Sequence, residues 1–482
     1  MNLRPHQKKR PRPAAPQSAR SHALALLNLV LGEKRTLDEA LAKHMLTGAE
    51  ADQRFAMLLV LSTLQHLGQL DAVLANYLEK PLPPKRLPIT NALRLGAVQL
   101  LLLDTPAHAA VNETVTLVKQ GKDAGLAGLV NAVLQKIVRE KPALPSPIVN
   151  LPEWLRTRWE KTYGTQVVAA MALVAAARAP LDIHSTLDMD GAVRLDAQMQ
   201  RFAGDHLPVV HLAGYDAGAF FVQDIAASYP VRLLGDVTQL QVLDVCAAPG
   251  GKAMQLIQAG AFVTAIDKSA SRMKRVKENL KRMGMQANTI VADAFEWQPS
   301  RAYDAILLDA PCTATGTWRR HPEMVQCVSE NDIAEMVTLQ RALMMRAWQW
   351  LKPGGKMVYC VCSLEPEEGE QQAAWFMREV GDATVVSFSS PPEGERDLPL
   401  QVRGGVSTST ISDDATQGAI PPPNRKGDST PPQGGSEEET SMREYGIPAA
   451  CITSQGYLRT RPDMMAERGG MDGFFAVCFR KP

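Results

Sequence analysis

The sequence predicts an α/β protein built on a doubly wound parallel sheet, preceded by an all-helical region and a small mixed α/β region. Three observations carry this. From Gln239 onward, short β-branched stretches alternate with helix-length segments, the pattern of a parallel sheet covered by helices. Within that region, Val242-Leu-Asp-Val-Cys-Ala-Ala-Pro-Gly-Gly-Lys252 leads from strand into a turn of small residues. A helix-like run, Ala253-Met-Gln-Leu-Ile257, follows. Such a turn brings a nucleotide-like ligand close to bare backbone. Residues 21–140, in contrast, repeat apolar side chains at three- and four-residue spacing, as helices do.

Bulk properties narrow the function classes. A chain of 482 residues has room for two or three domains. At 45% hydrophobic and 21% charged it has the balance of a globular protein. No apolar run is long enough for a membrane span. The opening MNLRPHQKKRPRPAAPQSAR lacks the apolar core of a signal peptide. The seven cysteines show no disulfide spacing, and a reducing cytoplasm is expected. A net charge of +1 neither demands nor excludes nucleic acid. Residues 1–20 carry only basic charges and read as a disordered tail, either a phosphate-touching arm or a solubilising one.

The helical region, 21–140, contains the runs at His22, Gln53 and Ala92 and a last one from Ala124 to Arg139. Its small residues Gly125, Ala127 and Gly128 suggest close helix packing. Lys141-Pro-Ala-Leu-Pro-Ser-Pro147 is a linker, since three prolines cannot continue a helix. Residues 148–235 are mixed: a helix over Leu151–Ala177 with Trp154 and Trp159, then short strands, then Phe221-Val-Gln-Asp224 before Ile225. The region 236–482 carries strand candidates at 239–246, 261–267, 287–293, 303–310 and 356–363, with helices at 269–283 and 332–351 between them. An insertion over 389–445 is rich in Pro, Gly, Ser and Thr and is expected to be disordered. The sheet resumes at Gly456 and closes with Gly473-Phe-Phe-Ala-Val-Cys-Phe-Arg480.

Ligands of such sheets sit beyond the carboxyl ends of the strands, where the notable residues cluster. Asp267 ends the second strand and is placed to receive both hydroxyls of a ribose; the other reading is a helix cap. Asp293 ends the third and either receives an adenine amine or closes a turn. The absence of G-x-G-x-x-G, with an acid at the third strand, favours S-adenosylmethionine over NAD. Asp309-Ala-Pro-Cys312 sets a carboxylate and a thiol at one strand end, and Cys362 ends the next. Neighbouring strands lie about 4.8 Å apart, so Cys312 and Cys362 are expected to face one pocket. Cys360 shares their strand face but lies deeper. A single cysteine is usually a small core residue; two at adjacent strand ends beside a cofactor loop point to chemistry. Zinc is disfavoured because no second cysteine pair or histidine completes four ligands.

A methyl transfer needs a thiol when the acceptor is C5 of a pyrimidine. Thiolate addition to C6 makes C5 nucleophilic enough to attack a sulfonium methyl. An acid near N3, here Asp309, stabilises the adduct, and a base then removes the C5 proton. Amine methylation needs no thiol. Among basic residues, Arg319 and Arg320 are candidates to hold RNA phosphates. Phe221–Asp224 is a candidate wall of an RNA cleft, or a helix start capped by Asp224. The helix charges from Lys274 to Arg282 read as a solvated face, apart from Arg272.

Val242–Lys252, Ala292-Asp293, Leu308-Asp-Ala-Pro-Cys-Thr-Ala-Thr-Gly-Thr317, Arg319-Arg-His-Pro322, Cys362-Ser-Leu-Glu-Pro-Glu-Glu368 and Gly469-Gly-Met-Asp-Gly-Phe-Phe-Ala476 together resemble the RNA cytosine-C5 methyltransferases. The helical region, with Asp104-Thr-Pro-Ala-His-Ala-Ala-Val-Asn-Glu-Thr-Val115, resembles the NusB fold. The resemblance implies a Rossmann-like methyltransferase sheet, a NusB-like RNA-binding region over 21–140 and an RNA-binding subdomain over 148–235. It implies Cys362 as nucleophile, Cys312 assisting product release, and S-adenosylmethionine contacts from Cys246, Ala247, Ala248, Pro249, Gly250, Gly251 and Lys252. Further contacts are implied at Asp267, Asp293 and Asp309, with Arg272 beside them. The implied substrate is 16S ribosomal RNA, met by a monomer without metal or membrane. A transfer-RNA enzyme and a non-catalytic RNA-binding factor are the alternatives. Two positions depart from the pattern: Val361 stands where Thr is common, and Ala253 where Thr or Ser is common.

Overall fold

The structure is a computed structural model that describes residues 18–202, 208–386 and 446–482. The 389–445 insertion and all of the basic tail up to residue 17 lie outside the described residues. Of the expected tail, residues 18–20 are ordered: Ser18 caps the first helix, its hydroxyl accepting from the Ser21 amide.

Seven helices form the first layer: α1 (Ala19–Glu33), α2 (Leu37–Lys43), α3 (Glu50–Gln65), α4 (Leu67–Ala75), α5 (Leu87–Leu101), α6 (Ala107–Gln120) and α7 (Ala127–Glu140). Helix α2 starts in a capping box between Thr36 and Glu39. The shared core includes Leu26, Leu59, Val98 and Leu134. Close packing does occur, but not at the expected glycines. A side chain at Gly125 or Gly128 would meet open space, whereas one at Gly96 of α5 would collide with Leu134 of α7. At Gly68 of α4 a Cβ would collide with the Val149 backbone itself.

The linker is pinned rather than loose. Asn150 accepts from the Gln69 amide and donates to the Gln69 side chain, which in turn donates to the Pro145 carbonyl. The helix expected over 151–177 is two, α8 (Glu153–Tyr163) and α9 (Thr165–Ala175), broken where Gly164 takes φ 87°. Trp159 is buried, while Trp154 is only partly so. A small antiparallel sheet follows, from β1 (Leu181–His184), β2 (Val193–Arg194), β3 (Met199–Phe202) and β4 (Phe221–Val222), in the order β2-β3-β1-β4.

Helix α10 (Ile225–Arg232) leads to the main sheet. Its elements are β5 (Gln241–Val245), α11 (Gly251–Gln258), β6 (Phe262–Asp267), α12 (Ala270–Arg282), β7 (Asn288–Val291), β8 (Tyr303–Asp309), α13 (Met324–Cys327), α14 (Glu330–Gln349), β9 (Leu351–Val361), α15 (Glu370–Val380), β10 (Thr384–Val385), β11 (Leu458–Arg459) and β12 (Phe475–Arg480). The order is β10-β12-β9-β8-β5-β6-β7, with β11 beside β12. Strands β5 to β9 are parallel, as expected for a doubly wound sheet. The closing strand corrects the all-parallel expectation: β12 runs antiparallel to β9, from Phe475 opposite Val361 to Arg480 opposite Lys356. The chain after β11 returns across the carboxyl ends of the strands, so β12 can only descend. Hydropathy patterning carries no strand direction.

Both faces of the sheet are buried, with Leu243, Ile306 and Tyr359 on one side and Val242, Leu307 and Val358 on the other. Among the described residues no single helix is long and apolar enough to cross a membrane.

Candidate active site

The turn after β5 is shaped by α12. Cys246 takes φ 63° and Gly250 φ 103°. A Cβ at Gly250 would stand 3.2 Å from Val276. Asn279 donates to the Pro249 carbonyl and Arg272 to the Ala248 carbonyl, 2.7 Å away. The Ala247 amide bonds to Ile266 of the neighbouring strand. Ala247 to Gly251 are thus held as one rigid turn between β5 and α11.

Beside this turn, Cys246, Asp267, Arg272 and Asp293 line one pocket, with Phe295 and Pro311. Asp267 is buried; its oxygens accept from the Ser269 amide at 2.8 Å and the Ala248 amide at 3.3 Å. The cap of α12 is Ser269, not Asp267, which removes the capping alternative. Asp293 accepts from the Phe295 amide, so the turn reading holds for one oxygen while the residue still lines the pocket. Burial, then the Asp267 charge, push the Cys246 thiol up to about 12, so it is neutral. This set, an acid at each of two strand ends beside a tight turn of small residues, fits the hydroxyls and amine of a nucleoside.

One strand further, Lys252 Nζ lies 2.8 Å from Asp309 Oδ2 and 5.0 Å over the Phe474 ring. Burial alone would lower the lysine, but the Asp309 carboxylate overrides it and holds Lys252 above its ordinary value. Lys252 is therefore charged. Asp244 lies beneath it, fully buried with neither oxygen hydrogen-bonded, and burial followed by the Asp309 charge raise it well above the carboxylate range. Nothing in the sequence marks Asp244, because its burial comes from strands and helices far away in the chain.

Cys312 and Cys362 meet: their sulfurs are 3.5 Å apart, and both thiols are free and partly exposed. The Cys362 contact, then burial, raise Cys312 well above the thiol range. Cys360 is buried, its sulfur 3.5 Å from Asp309 Oδ1, and burial raises it too. Cys362 lies just beyond the end of β9, at the mouth.

Glu368 was missed as a site residue. It is fully buried and accepts from the Thr313 amide at 2.9 Å, the Thr313 and Ser363 hydroxyls, and Gln340. One carboxylate thereby ties the residue after Cys312 to the residue after Cys362. Val361 and Ala253, the two departures, are fully buried in apolar clusters.

The structure corrects the basic residues. Arg319 is fully buried, paired with Asp224 and, at 3.4 Å, with Asp472; Arg320 bonds Asp472, its Nε 2.9 Å from Oδ2. Neither guanidinium is free for phosphate in this state, since leaving two buried acids unpaired is costly. Asp224 also caps α10 through the Ala226 amide, so the capping reading holds for it, while Phe221 and Val222 form β4 and Phe221 is buried on His184. Arg282 is not part of a solvated face: it donates to the Tyr215 and Phe220 carbonyls and stacks over Tyr215.

Comparison with known proteins agrees with this geometry. The family described as 16S rRNA methyltransferase RsmB/F matches residues 232–401, and the NusB family matches residues 17–139. A ribosomal RNA small subunit methyltransferase B of Citrobacter koseri is 33% identical over 410 residues, which cover 80% of this chain and 96% of the relative. That of Sodalis glossinidius is 34% identical over 406 residues, covering 78% and 93%. The crystal structure of PH0851 has the same fold, with a TM-score of 0.66 at 21% identity over 96% of this chain and 99% of the other. A helical NusB segment, a methyltransferase sheet and paired thiols in one chain, aligned with these relatives over nearly their whole length, place it plainly: the chain belongs to the ribosomal RNA small subunit methyltransferase B family.

Proposed function

We propose that this chain transfers a methyl group from S-adenosylmethionine to C5 of a cytosine in 16S ribosomal RNA, through a covalent bond between Cys362 and C6. The carrying observation is the pair of free thiols 3.5 Å apart at neighbouring strand ends. Family membership favours ribosomal over transfer RNA as the acceptor.

When bound, S-adenosylmethionine supplies the electrophilic methyl group. Asp267 and Asp293 hold its nucleoside, and Arg272 keeps the Ala248 carbonyl and the turn in place. Cys362 releases its proton to water and its sulfur bonds to C6, moving the C5–C6 electron pair to C5. Asp309 receives the pyrimidine edge at N3 and N4, and Lys252 keeps that carboxylate oriented. After transfer the C5 proton must leave before the sulfur can. Cys312, a neutral thiol in the resting site, first releases its own proton to water; its thiolate then takes the C5 proton as the C6–S bond breaks, and Cys362 leaves as a thiolate that regains a proton from water.

The test uses Cys312→Ala with 16S ribosomal RNA and S-adenosylmethionine. The expected result is an RNA–protein band that survives denaturing electrophoresis and disappears in Cys312→Ala/Cys362→Ala. Normal turnover without the band removes Cys312 from the release step. Bisulfite sequencing of the product locates the base, and methyl found on an exocyclic amine defeats the C5 reading.

A further inference from the structure

A buried acid is costly unless its acceptor sites are filled, so the source of its donors shows what it holds in place. Glu368 is fully buried and does not line the cofactor pocket. Its Oε1 accepts from the Thr313 amide and from the Gln340 side chain, each at 2.9 Å. Its Oε2 accepts from the hydroxyls of Thr313 and Ser363. These four donors match the four acceptor sites of a carboxylate. The acid is itself fixed to the sheet, because the Tyr359 hydroxyl of β9 donates to its carbonyl at 2.6 Å.

The bonds are not shared evenly between the two thiols. Thr313, the residue after Cys312, gives both its amide and its hydroxyl. Gln340 of α14 also donates to the carbonyl of Pro311, the residue before Cys312, at 2.9 Å. Glu368 therefore reaches both neighbours of Cys312, one directly and one through Gln340. On the other side it takes only the Ser363 hydroxyl. The segment at Cys362 has further holds. The Gly316 amide donates to the Cys362 carbonyl, and Gly316 is tied in turn by Gly473. The Arg459 guanidinium donates to the Ser363 carbonyl at 2.6 Å, and the Leu364 amide to the Thr315 hydroxyl at 3.0 Å. Loss of the acid thus loosens Cys312 far more than Cys362.

We propose that Glu368 is the positioning residue of Cys312, fixing the turn from Pro311 to Thr313 so that the Cys312 sulfur stands where the C5 proton leaves. This rests on the reading in which Cys312 serves the release step. Removing Glu368 should then mimic a weak loss of Cys312 and leave the earlier steps in place. Cys362 still bonds to C6 and the methyl group is still transferred, but the C5 proton stays and Cys362 remains attached.

The full chain is assayed with 16S ribosomal RNA and S-adenosylmethionine as Glu368→Ala, Glu368→Gln and Thr313→Val, beside Cys312→Ala. Glu368→Ala should give an RNA–protein band that survives denaturing electrophoresis and is absent from Glu368→Ala/Cys362→Ala. Its kcat should fall roughly a hundredfold, the loss expected when a reacting group is misplaced by about 1 Å. Calorimetry should show S-adenosylmethionine affinity close to that of the unmodified chain, which reports an intact fold. In Glu368→Gln the amide oxygen can still accept from Thr313 and Gln340, while its NH2 donates to the two hydroxyls turned to accept. That variant should recover kcat to within about tenfold of the unmodified chain, with only a faint band. Thr313→Val keeps the amide bond and should give a band weaker than that of Glu368→Ala. If Cys312→Ala traps RNA while neither Glu368→Ala nor Thr313→Val does, Glu368 does not position Cys312. Loss of cofactor binding in Glu368→Ala, with no recovery in Glu368→Gln, makes the acid merely structural and overturns the proposal as well. If Cys312→Ala itself turns over normally without a band, the underlying reading of Cys312 falls instead.

Discussion

In the proposed reaction Cys312 and Cys362 divide two jobs that one thiol cannot do, since the sulfur bonded to C6 is not available as a base. Their 3.5 Å separation lets the two act on opposite stages at one ring. Cys362→Ala is expected to abolish methyl transfer while S-adenosylmethionine still binds, because Cys362 does not line the cofactor pocket. Single-turnover assays with calorimetry read both, and near-normal turnover would assign the nucleophile elsewhere. Asp267 makes the complementary case. Hydrogen bonds to a charged group are worth about 1.5–3 kcal/mol each, so Asp267→Ala should weaken cofactor binding at least about tenfold. Its oxygens also accept from the Ala248 and Ser269 amides, so part of that loss comes from a slackened turn. Asp267→Asn keeps one acceptor and should recover part of the affinity; calorimetry showing no loss in either variant moves the ribose to another residue.

At the scale of elements, legibility followed sequence distance. The strand-turn-helix around Lys252 could be read because its signals are contiguous: β-branched residues, then Pro and Gly, then a helical run. The partners of Arg319 could not, since Asp224 and Asp472 lie 95 and 153 residues away. The same holds for Glu368, whose bonds reach back 55 residues to Thr313. A guanidinium in a motif looks the same in sequence whether it faces phosphate or a buried acid. The small sheet hides another such group. His184 of β1 is buried and stacked on Phe221 of β4, ring centroids 4.7 Å apart, with neither ring nitrogen hydrogen-bonded. Burial, then the Arg232 charge, push it down to about 4. Its folded value lies below its unfolded one near 6.5, so the stability it contributes is complete above pH 6.5. It is lost as the pH falls from 6.5 towards 4, by at most about 3 kcal/mol. Melting temperature should therefore drop between pH 7.5 and 5, and His184→Phe should flatten that dependence. An unchanged acid sensitivity in His184→Phe would place the responsible group elsewhere.

At the scale of the molecule, the helical layer and the sheet are fastened by the segment that follows Arg319-Arg320. Glu323 accepts from the Leu37 amide of α2, Lys34 donates to the Gln326 carbonyl, and the Cys327 sulfur rests 3.3 Å from the Arg35 carbonyl. The insertion at 389–445 lies outside the described residues. Chain on both sides of it is anchored to one sheet: Val386 donates to Cys478 of β12, and Ile447 is buried in the core beneath β5 and β9. The fold therefore closes through β12, whose six residue pairs with β9 are made by chain beyond the insertion. Lengthening a loop costs only about 0.6 kcal/mol per doubling, so its length puts little load on the native state. The segment has few large apolar side chains, its arginines are matched by many acids, and none of the site residues falls within it. Replacing most of 389–445 by a short Gly/Ser linker should leave the melting temperature, kcat and cofactor affinity within about twofold of the full chain. Steady-state kinetics on 16S ribosomal RNA decides the matter: a large rise in KM with kcat unchanged would mean that the insertion, through Arg396, Arg403 or Arg425, holds the RNA itself.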